Sequence, residues 1–205
     1  MDAVGVVCEF DPLHRGHEAL LRRAGASGRP VVCAMSGNFT QRGGPACAEK
    51  FVRAEMAVRC GADLVAELPT PWAMATAEKF ADGGVGLLSL CGVKTLCFGS
   101  ECGDIDALWT AAEVLLREDI HRAIRAEMDG GLSYAAARQG VLEAAGSWPS
   151  PTTPWPWNIS RLYAAGALPQ MQLRCAGRTA ATTGLPRPPK FGRCWQRDRR
   201  RTLSL

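Results

Sequence analysis

Two histidines three positions apart, His14 and His17, are the residues of this sequence best suited to chemistry. Gly16 lies between them, and the apolar run Ala3–Cys8 precedes them. That run predicts a strand buried on both faces, and residues 16–24 predict a helix. A helix that begins at this turn would place two imidazoles beside free backbone N–H groups, an arrangement that binds phosphate.

The chemistry that this pair favours is nucleotidyl transfer. Gly16 lets the backbone approach a triphosphate, which the first imidazole can reach. The second imidazole can stabilise the charge that develops on the α-phosphate and on the leaving pyrophosphate. Such reactions need little covalent help and depend on positioning and electrostatics. The alternative is structural, with two histidines that only cap the N-terminus of a helix.

Four predicted strands alternate with helices along the chain. The strands are Ala3–Cys8, Val31–Ser36, Asp63–Leu68 and Val93–Phe98. The helices cover about 16–24, 48–60 and 72–90, and then 121–128 and 133–145 after a first stretch capped by Asp104. This alternation predicts an α/β fold of the Rossmann-like type, with helices on both faces of a parallel sheet.

Three loops that follow strands contain glycine and polar residues: Glu9–Gly16, Ser36–Gly44 and Gly99–Gly103. Ligands of parallel sheets bind beyond the carboxyl ends of the strands, so these loops are expected to converge on one crevice.

Several side chains in these loops have open roles. Glu9 and Asp11 could hold Mg²⁺ near the phosphates or hydrogen-bond the nucleotide. Arg42 could contact a phosphate or a carboxylate, or be a solvated loop residue. Asn38 and Gln41 are polar groups in the expected crevice, but the general polarity of loops would also explain them. Glu101 could cap the following turn or face the ligand. His121 is expected to be a surface or partly packed residue without a functional role.

The composition divides the sequence into two parts that differ in net charge and in proline content. Residues 1–151 carry 14 Lys and Arg against 19 Asp and Glu, whereas residues 152–205 carry 10 against 1, so the net charges are −5 and +9. The second part also holds six of the 13 prolines and has no sustained period of 3.6 or 2 residues. We therefore expect a nucleotide-binding domain over 1–151 and no folded domain over 152–205. That tail would be disordered and basic or, as its scattered Trp, Arg, Pro and Cys favour, translated out of frame.

The nine cysteines are scattered without a Cys-x-x-Cys pair, which argues against a disulfide framework and a zinc site. No apolar run approaches the roughly 20 residues that span a bilayer, and the N-terminus lacks the features of a signal peptide. A cytoplasmic protein without membrane contact is expected.

Four segments, in the same order, resemble the tRNA(Met) cytidine acetate ligase family. They are Val7–His17, Ala34–Ala46, Ala62–Pro69 and Leu96–Glu101. The resemblance extends over residues 3 to about 151. It implies a HIGH-type nucleotidyltransferase fold, formation of acetyl-adenylate from acetate and ATP, and transfer of the acetyl group to N4 of the wobble cytidine of elongator tRNA(Met).

The resemblance also implies which residues act. His14 and His17 would be catalytic. Apart from the resemblance, Mg²⁺ is expected to accompany ATP, and no metal-binding residue is assigned. ATP would be bound by one continuous segment and one later glycine, namely Val7, Cys8, Glu9, Phe10, Asp11, Pro12, Leu13, His14, Arg15, Gly16, His17, Glu18, Ala19, Leu20 and Gly99.

The sequence departs from the family pattern in two places. Asp11 stands where the family commonly has Asn, and Ser150-Pro151-Thr152-Thr153 stands where the family has Ser-Pro-Asn-Asn. The second departure replaces an Asn that helps members of the family to bind ATP. Beyond it nothing resembles the family, so the helical region that the family associates with tRNA is expected to be missing. Two rival functions follow: adenylyl transfer to another small molecule, or a non-catalytic remnant that binds ATP or RNA weakly.

Overall fold

One sheet of five parallel strands forms the centre of the structure, a computed structural model that describes residues 2–99, 105–146 and 172–176. The strands are β1 (Ala3–Cys8), β2 (Val31–Ser36), β3 (Leu64–Leu68), β4 (Val93–Gly99) and β5 (Gln172–Ala176). They lie in the order β3–β2–β1–β4–β5. Because the chain leaves β1 toward β2 and β3 but later returns to β1's other side with β4, the sheet has a topological switch point beside β1.

Seven helices complete the described fold. They are α1 (Arg15–Gly25), α2 (Lys50–Arg59), α3 (Thr70–Ala73), α4 (Ala77–Leu90), α5 (Ile105–Leu115), α6 (Glu118–Asp129) and α7 (Tyr134–Ala144). Within the described ranges, none of them is long and apolar enough to cross a bilayer. The predicted α/β fold with helices beside a parallel sheet is confirmed, whereas the predicted cap Asp104 lies outside the described residues.

The two faces of the sheet are both covered. Alternate residues of β1 and β2, such as Val6 and Cys33, pack with Leu21 of α1 and Ala57 of α2. The opposite face packs against α4 and the later helices, with Val85 among the buried residues. Burial on both faces explains the nearly continuous apolar runs of the central strands.

Close contact between α4 and β1 depends on a glycine. A Cβ at Gly84 would overlap the side chain of Val7, so only glycine lets α4 approach β1 at this point. Since Val7 is at the carboxyl-terminal part of β1, this contact supports the strand directly below its exit into the next loop.

The predicted helix over 72–90 is wrong in its first part. The chain forms the short α3, passes Met74, and begins α4 only after Thr76. A Cβ at Gly83 would overlap the ring of Trp72, which therefore packs directly on α4. The chain has to fold back between Trp72 and α4 to make this contact, so one continuous helix is impossible.

The fifth strand was not predicted. β5 pairs with β4 in parallel, with Leu96 opposite Leu173 and Gly99 opposite Ala176. The signal was a four-residue alternation of polar and apolar types, Gln-Leu-Arg-Cys, too short to stand out in a proline-rich and arginine-rich stretch. Five residues of the segment 152–205 thus belong to the sheet, and the other residues of that segment lie outside the described ranges.

Candidate active site

The turn from β1 to α1 carries the paired histidines. Cys8 ends the strand with its side chain buried, and Phe10, only 1% exposed, follows with a positive φ of 50°. A positive φ is costly for a bulky residue and persists only where the surroundings enforce it. The turn then reaches His14, which is the N-cap of α1.

The two imidazoles lie against each other at the start of α1. Their ring centroids are 3.7 Å apart with planes inclined by 21°. Gly16 N–H donates to Nδ1 of His14 at 3.1 Å, and the backbone N–H of His14 donates to Nδ1 of His17 at 3.4 Å. Since each Nδ1 accepts, this network assigns the proton of each neutral ring to Nε2. Both rings therefore offer an N–H donor at a helix N-terminus.

Both imidazoles favour the neutral form. Burial lowers the pKa of His14. Burial also lowers the pKa of His17 to about 4, helped by repulsion from His14 and opposed by a hydrogen bond with the backbone of Pro12. A bound triphosphate would oppose these effects, because a nearby negative charge favours the protonated form. The pair is thus a neutral donor site that can gain charge when an anion arrives.

The structural alternative for the histidines holds alongside the chemical one. His14 and His17 form a complete capping arrangement, in which each Nδ1 satisfies one backbone N–H of the first turn. Capping uses only Nδ1 of each ring, so it leaves both Nε2–H groups to other acceptors, which for His17 include the backbone of Pro12. Capping therefore orients the donors rather than competing with a catalytic role.

Two carboxylates attach the β1–α1 turn to the loop after β2. Oε1 of Glu9 accepts from the backbone N–H of Gln41 at 2.6 Å, and Oδ1 of Asp11 accepts from the backbone N–H of Cys47 at 2.6 Å. Partial burial raises the pKa of Asp11, but hydrogen bonds from the thiol and backbone of Cys47 outweigh burial and lower it. The two loops predicted to converge from β1 and β2 therefore lie side by side.

A third attachment was not predicted from the sequence. The side chain of Arg53, on α2, is fully buried and donates to the carbonyl oxygens of Glu9 at 2.6 Å, Ser36 at 3.1 Å and Ala48 at 3.1 Å, and also to that of Gly37. In the sequence, Arg53 is one basic residue of an amphipathic helix, and nothing in its spacing distinguishes it from exposed Arg59.

The other candidate residues occupy three environments. Val7 and Cys8 end β1, the segment Arg15–Leu20 forms the first turns of α1, and Gly99 ends β4 next to β1. The side chains of Cys8 and Phe10 are buried in the core, so they can meet a nucleotide only through their backbone.

The polar residues of the β2–α2 loop differ from those of the turn. Arg42 and Asn38 are exposed, and Arg42 has no hydrogen-bond partner among the described residues. Ser36 is fully buried, and its Oγ has no partner within the same part of the chain. His121 is half-buried on α6 rather than on the β1–α1 turn. Ser100 and Glu101, with the rest of the loop after β4, lie outside the described residues.

Metal-binding clusters of three or more His, Cys, Asp or Glu do not occur among residues 2–99, 105–146 and 172–176. Six cysteines are free thiols, and the first, second and last of them are buried: Cys8, Cys33, Cys47, Cys60, Cys91 and Cys97.

A nucleotidyltransferase is the class of protein that this fold and site define. The family model described as HIGH Nucleotidyl Transferase matches residues 1–161, and the chain belongs to that family. The match ends ten residues beyond the predicted boundary at 151.

Several proteins similar to this chain are tRNA(Met) cytidine acetate ligases. Those of Syntrophotalea carbinolica, Caldanaerobacter subterraneus and Acetivibrio thermocellus are 47%, 46% and 45% identical over 145, 147 and 150 residues. The alignments cover 69–70% of this chain and 35–37% of the relatives, so the chain spans about a third of their length. The resemblance found in the sequence is confirmed.

Two solved structures have the same fold. Thermotoga maritima TmcAL bound with alpha-thio ATP superimposes with a TM-score of 0.78 at 31% identity, covering 88% of this chain and 47% of its own. Its apo form gives a TM-score of 0.76, with coverages of 87% and 46%. Because 88% of the chain is superimposed, the structural match includes residues beyond the predicted boundary at 151.

Proposed function

We propose that this chain binds ATP at the β1–α1 turn, activates acetate as acetyl-adenylate, and serves N4-acetylation of the wobble cytidine of elongator tRNA(Met). The observation that carries the proposal is identity of 40–47% to tRNA(Met) cytidine acetate ligases over 145–150 residues, together with the family match over residues 1–161, which contain the whole turn. The geometry of the turn alone suits any nucleotidyl transfer, so the relatives supply the choice of acetate.

The first step is displacement at the α-phosphate. A carboxylate oxygen of acetate attacks the α-phosphorus, the bond to the bridging oxygen of the β-phosphate breaks, and pyrophosphate leaves with the negative charge. His14 and His17 donate from Nε2–H to the phosphate oxygens where charge increases. The free N–H groups at the start of α1 add to this stabilisation.

The second step is acyl transfer. N4 of the cytidine attacks the acetyl carbonyl, AMP leaves, and the amine proton passes to solvent. Residues 152–205, with a net charge of +9, would add a general attraction to RNA. Acetate, ATP and elongator tRNA(Met) are the proposed partners, and the cytoplasm, where tRNA is available, is the proposed location.

The ATP segment of the proposal comprises Val7–Leu20 and Gly99. A Mg²⁺ ion that accompanies ATP would be held mainly by phosphate oxygens, since Glu9 and Asp11 each give one oxygen to a backbone amide of the neighbouring loop. Exposed Arg42 is proposed to reach a phosphate or the acetate carboxylate.

The experiment is exchange of labelled pyrophosphate into ATP by the purified chain, with and without acetate. Exchange that depends on acetate is the expected result. Exchange only with a different carboxylic or phosphorylated acceptor would favour another adenylyltransferase. ATP binding without any exchange would leave a nucleotide-binding remnant, and either of these results would refute acetate activation by this chain.

A further inference from the structure

The side chain of Arg53, on α2, links the β1–α1 turn to the end of β2. Its guanidinium reaches the carbonyl of Glu9, just after β1, and those of Ser36 and Gly37, at the end of β2. Its Nε–H donates to the carbonyl of Ala48, just before α2. One side chain thus bonds both strand ends that border the crevice.

The charge of Arg53 is buried, and its hydrogen bonds go to backbone carbonyls rather than to a carboxylate. Its side chain is 0% exposed, and no ion pair joins it to an acidic residue in the part of the chain that the structure describes. Its positive charge also acts on a carboxylate of the β1–α1 turn, because it helps the hydrogen bonds from Cys47 to lower the pKa of Asp11 against the effect of burial. The carbonyls that it contacts belong to the β1–α1 turn, the end of β2 and the residues before α2, so its contacts lie along the border of the crevice.

We propose that Arg53 is a positioning residue of the ATP site, which fixes the β1–α1 turn against the β2–α2 loop so that the paired histidines are preorganised for the triphosphate. The inference rests on the proposed function for its ligand, and on the four carbonyl contacts for its mechanism. It adds a residue outside the segment Val7–Leu20 to the site.

The effect of Arg53 reaches the histidines through Phe10. The carbonyl of Glu9 immediately precedes Phe10, whose positive φ is enforced by its surroundings. The ring of Phe10 packs edge-on against His17, with centroids 5.1 Å apart. Releasing the Glu9 carbonyl would let Phe10 relax, and His17 would then lose the neighbour that holds its ring against His14.

The test compares three variants for ATP affinity by calorimetry and for unfolding by urea. Arg53→Lys keeps the charge but lacks the planar fork that contacts several carbonyls at once. Leu142→Ala, in a fully buried position of α7, is a control for lost stability. Arg59→Met removes an exposed arginine from the same helix as Arg53.

We expect Arg53→Lys to weaken ATP binding by about ten- to a hundredfold under conditions where circular dichroism shows it folded. Leu142→Ala and Arg59→Met should bind ATP as the parent chain does. Wild-type affinity in Arg53→Lys, or an equal loss in Leu142→Ala, would overturn the proposal, because Arg53 would then be a stabilising residue only.

A ligand-free measurement separates this proposal from the proposed function. The chain has three histidines, so their ring protons can be followed individually by NMR as the pH is lowered. In the parent chain His17 should titrate at about 4, and in Arg53→Lys its titration should move toward 6.5 as the ring loosens. If the parent chain failed to bind ATP, the ATP site would be refuted, and an unmoved His17 titration would refute the role of Arg53 independently.

Discussion

Replacing His17 by glutamine should make the stability of the fold less sensitive to mild acid. Burial and the neighbouring His14 hold the pKa of His17 at about 4, against 6.5 for an ordinary histidine. Between these two values the unfolded chain binds a proton that the folded chain does not. The free energy of unfolding must therefore fall as the pH falls from 6.5 toward 4.

The size of this effect follows from the shift in pKa. A difference of about 2.5 pH units corresponds to about 3 kcal/mol, which is an upper value because solvent reaches part of the ring. Above pH 6.5 both states carry the neutral ring, and this source of pH dependence vanishes. Glutamine does not titrate, so His17→Gln removes the term while keeping a polar side chain at the position.

The assay is urea unfolding followed by tryptophan fluorescence at several pH values between 7 and 4.5, for the parent chain and for His17→Gln. Carboxylates titrate in both proteins and cancel in the difference. The stability gap between the two should change in favour of the variant by up to about 2.4 kcal/mol between pH 7 and pH 4.5, since the full difference is reached only below pH 4. Parallel stability curves would refute the burial and repulsion assigned to His17.

Three further predictions concern the support of the turn. Gly84→Ala should lower the free energy of unfolding by about 1–3 kcal/mol, measured by urea denaturation, because the added methyl overlaps Val7. Asp11→Ala should cost about 1–3 kcal/mol in the same assay at pH 7, since it leaves the backbone N–H of Cys47 without its carboxylate; Asp11→Asn should recover part of the loss. Arg42→Ala should leave stability within about 0.5 kcal/mol of the parent while weakening ATP binding, and unchanged ATP affinity would make Arg42 a solvated loop residue.

The main features of the fold follow from local patterns in the sequence. The apolar runs of β1 and β2 coincide with their observed bounds, because strands buried on both faces need nearly continuous apolar residues. The break between α3 and α4 depends instead on the packing of Trp72 against Gly83, which are far enough apart in sequence to leave no periodic signal. β5 was missed because its alternation is only four residues long.

The candidate site, too, could be predicted only in part. The spacing of His14 and His17 at a strand-to-helix turn indicated the imidazole pair and its place in the fold. The tasks of Glu9 and Asp11 were not predictable, because the amides they accept from belong to a loop more than 30 positions away. Arg53 was missed because a buried arginine and an exposed arginine cannot be told apart in the sequence of an amphipathic helix.

ATP binding by the paired histidines is the central claim, and calorimetric titration of ATP into the chain tests it most directly. The parent chain should bind ATP at one site, and His14→Ala and His17→Ala should each bind about ten- to a hundredfold more weakly, as expected when a hydrogen bond to a charged group is lost. His121→Ala, which changes a histidine of α6, should bind ATP with the parent affinity. Equal affinity in all four proteins, or no binding by the parent chain, would contradict the account.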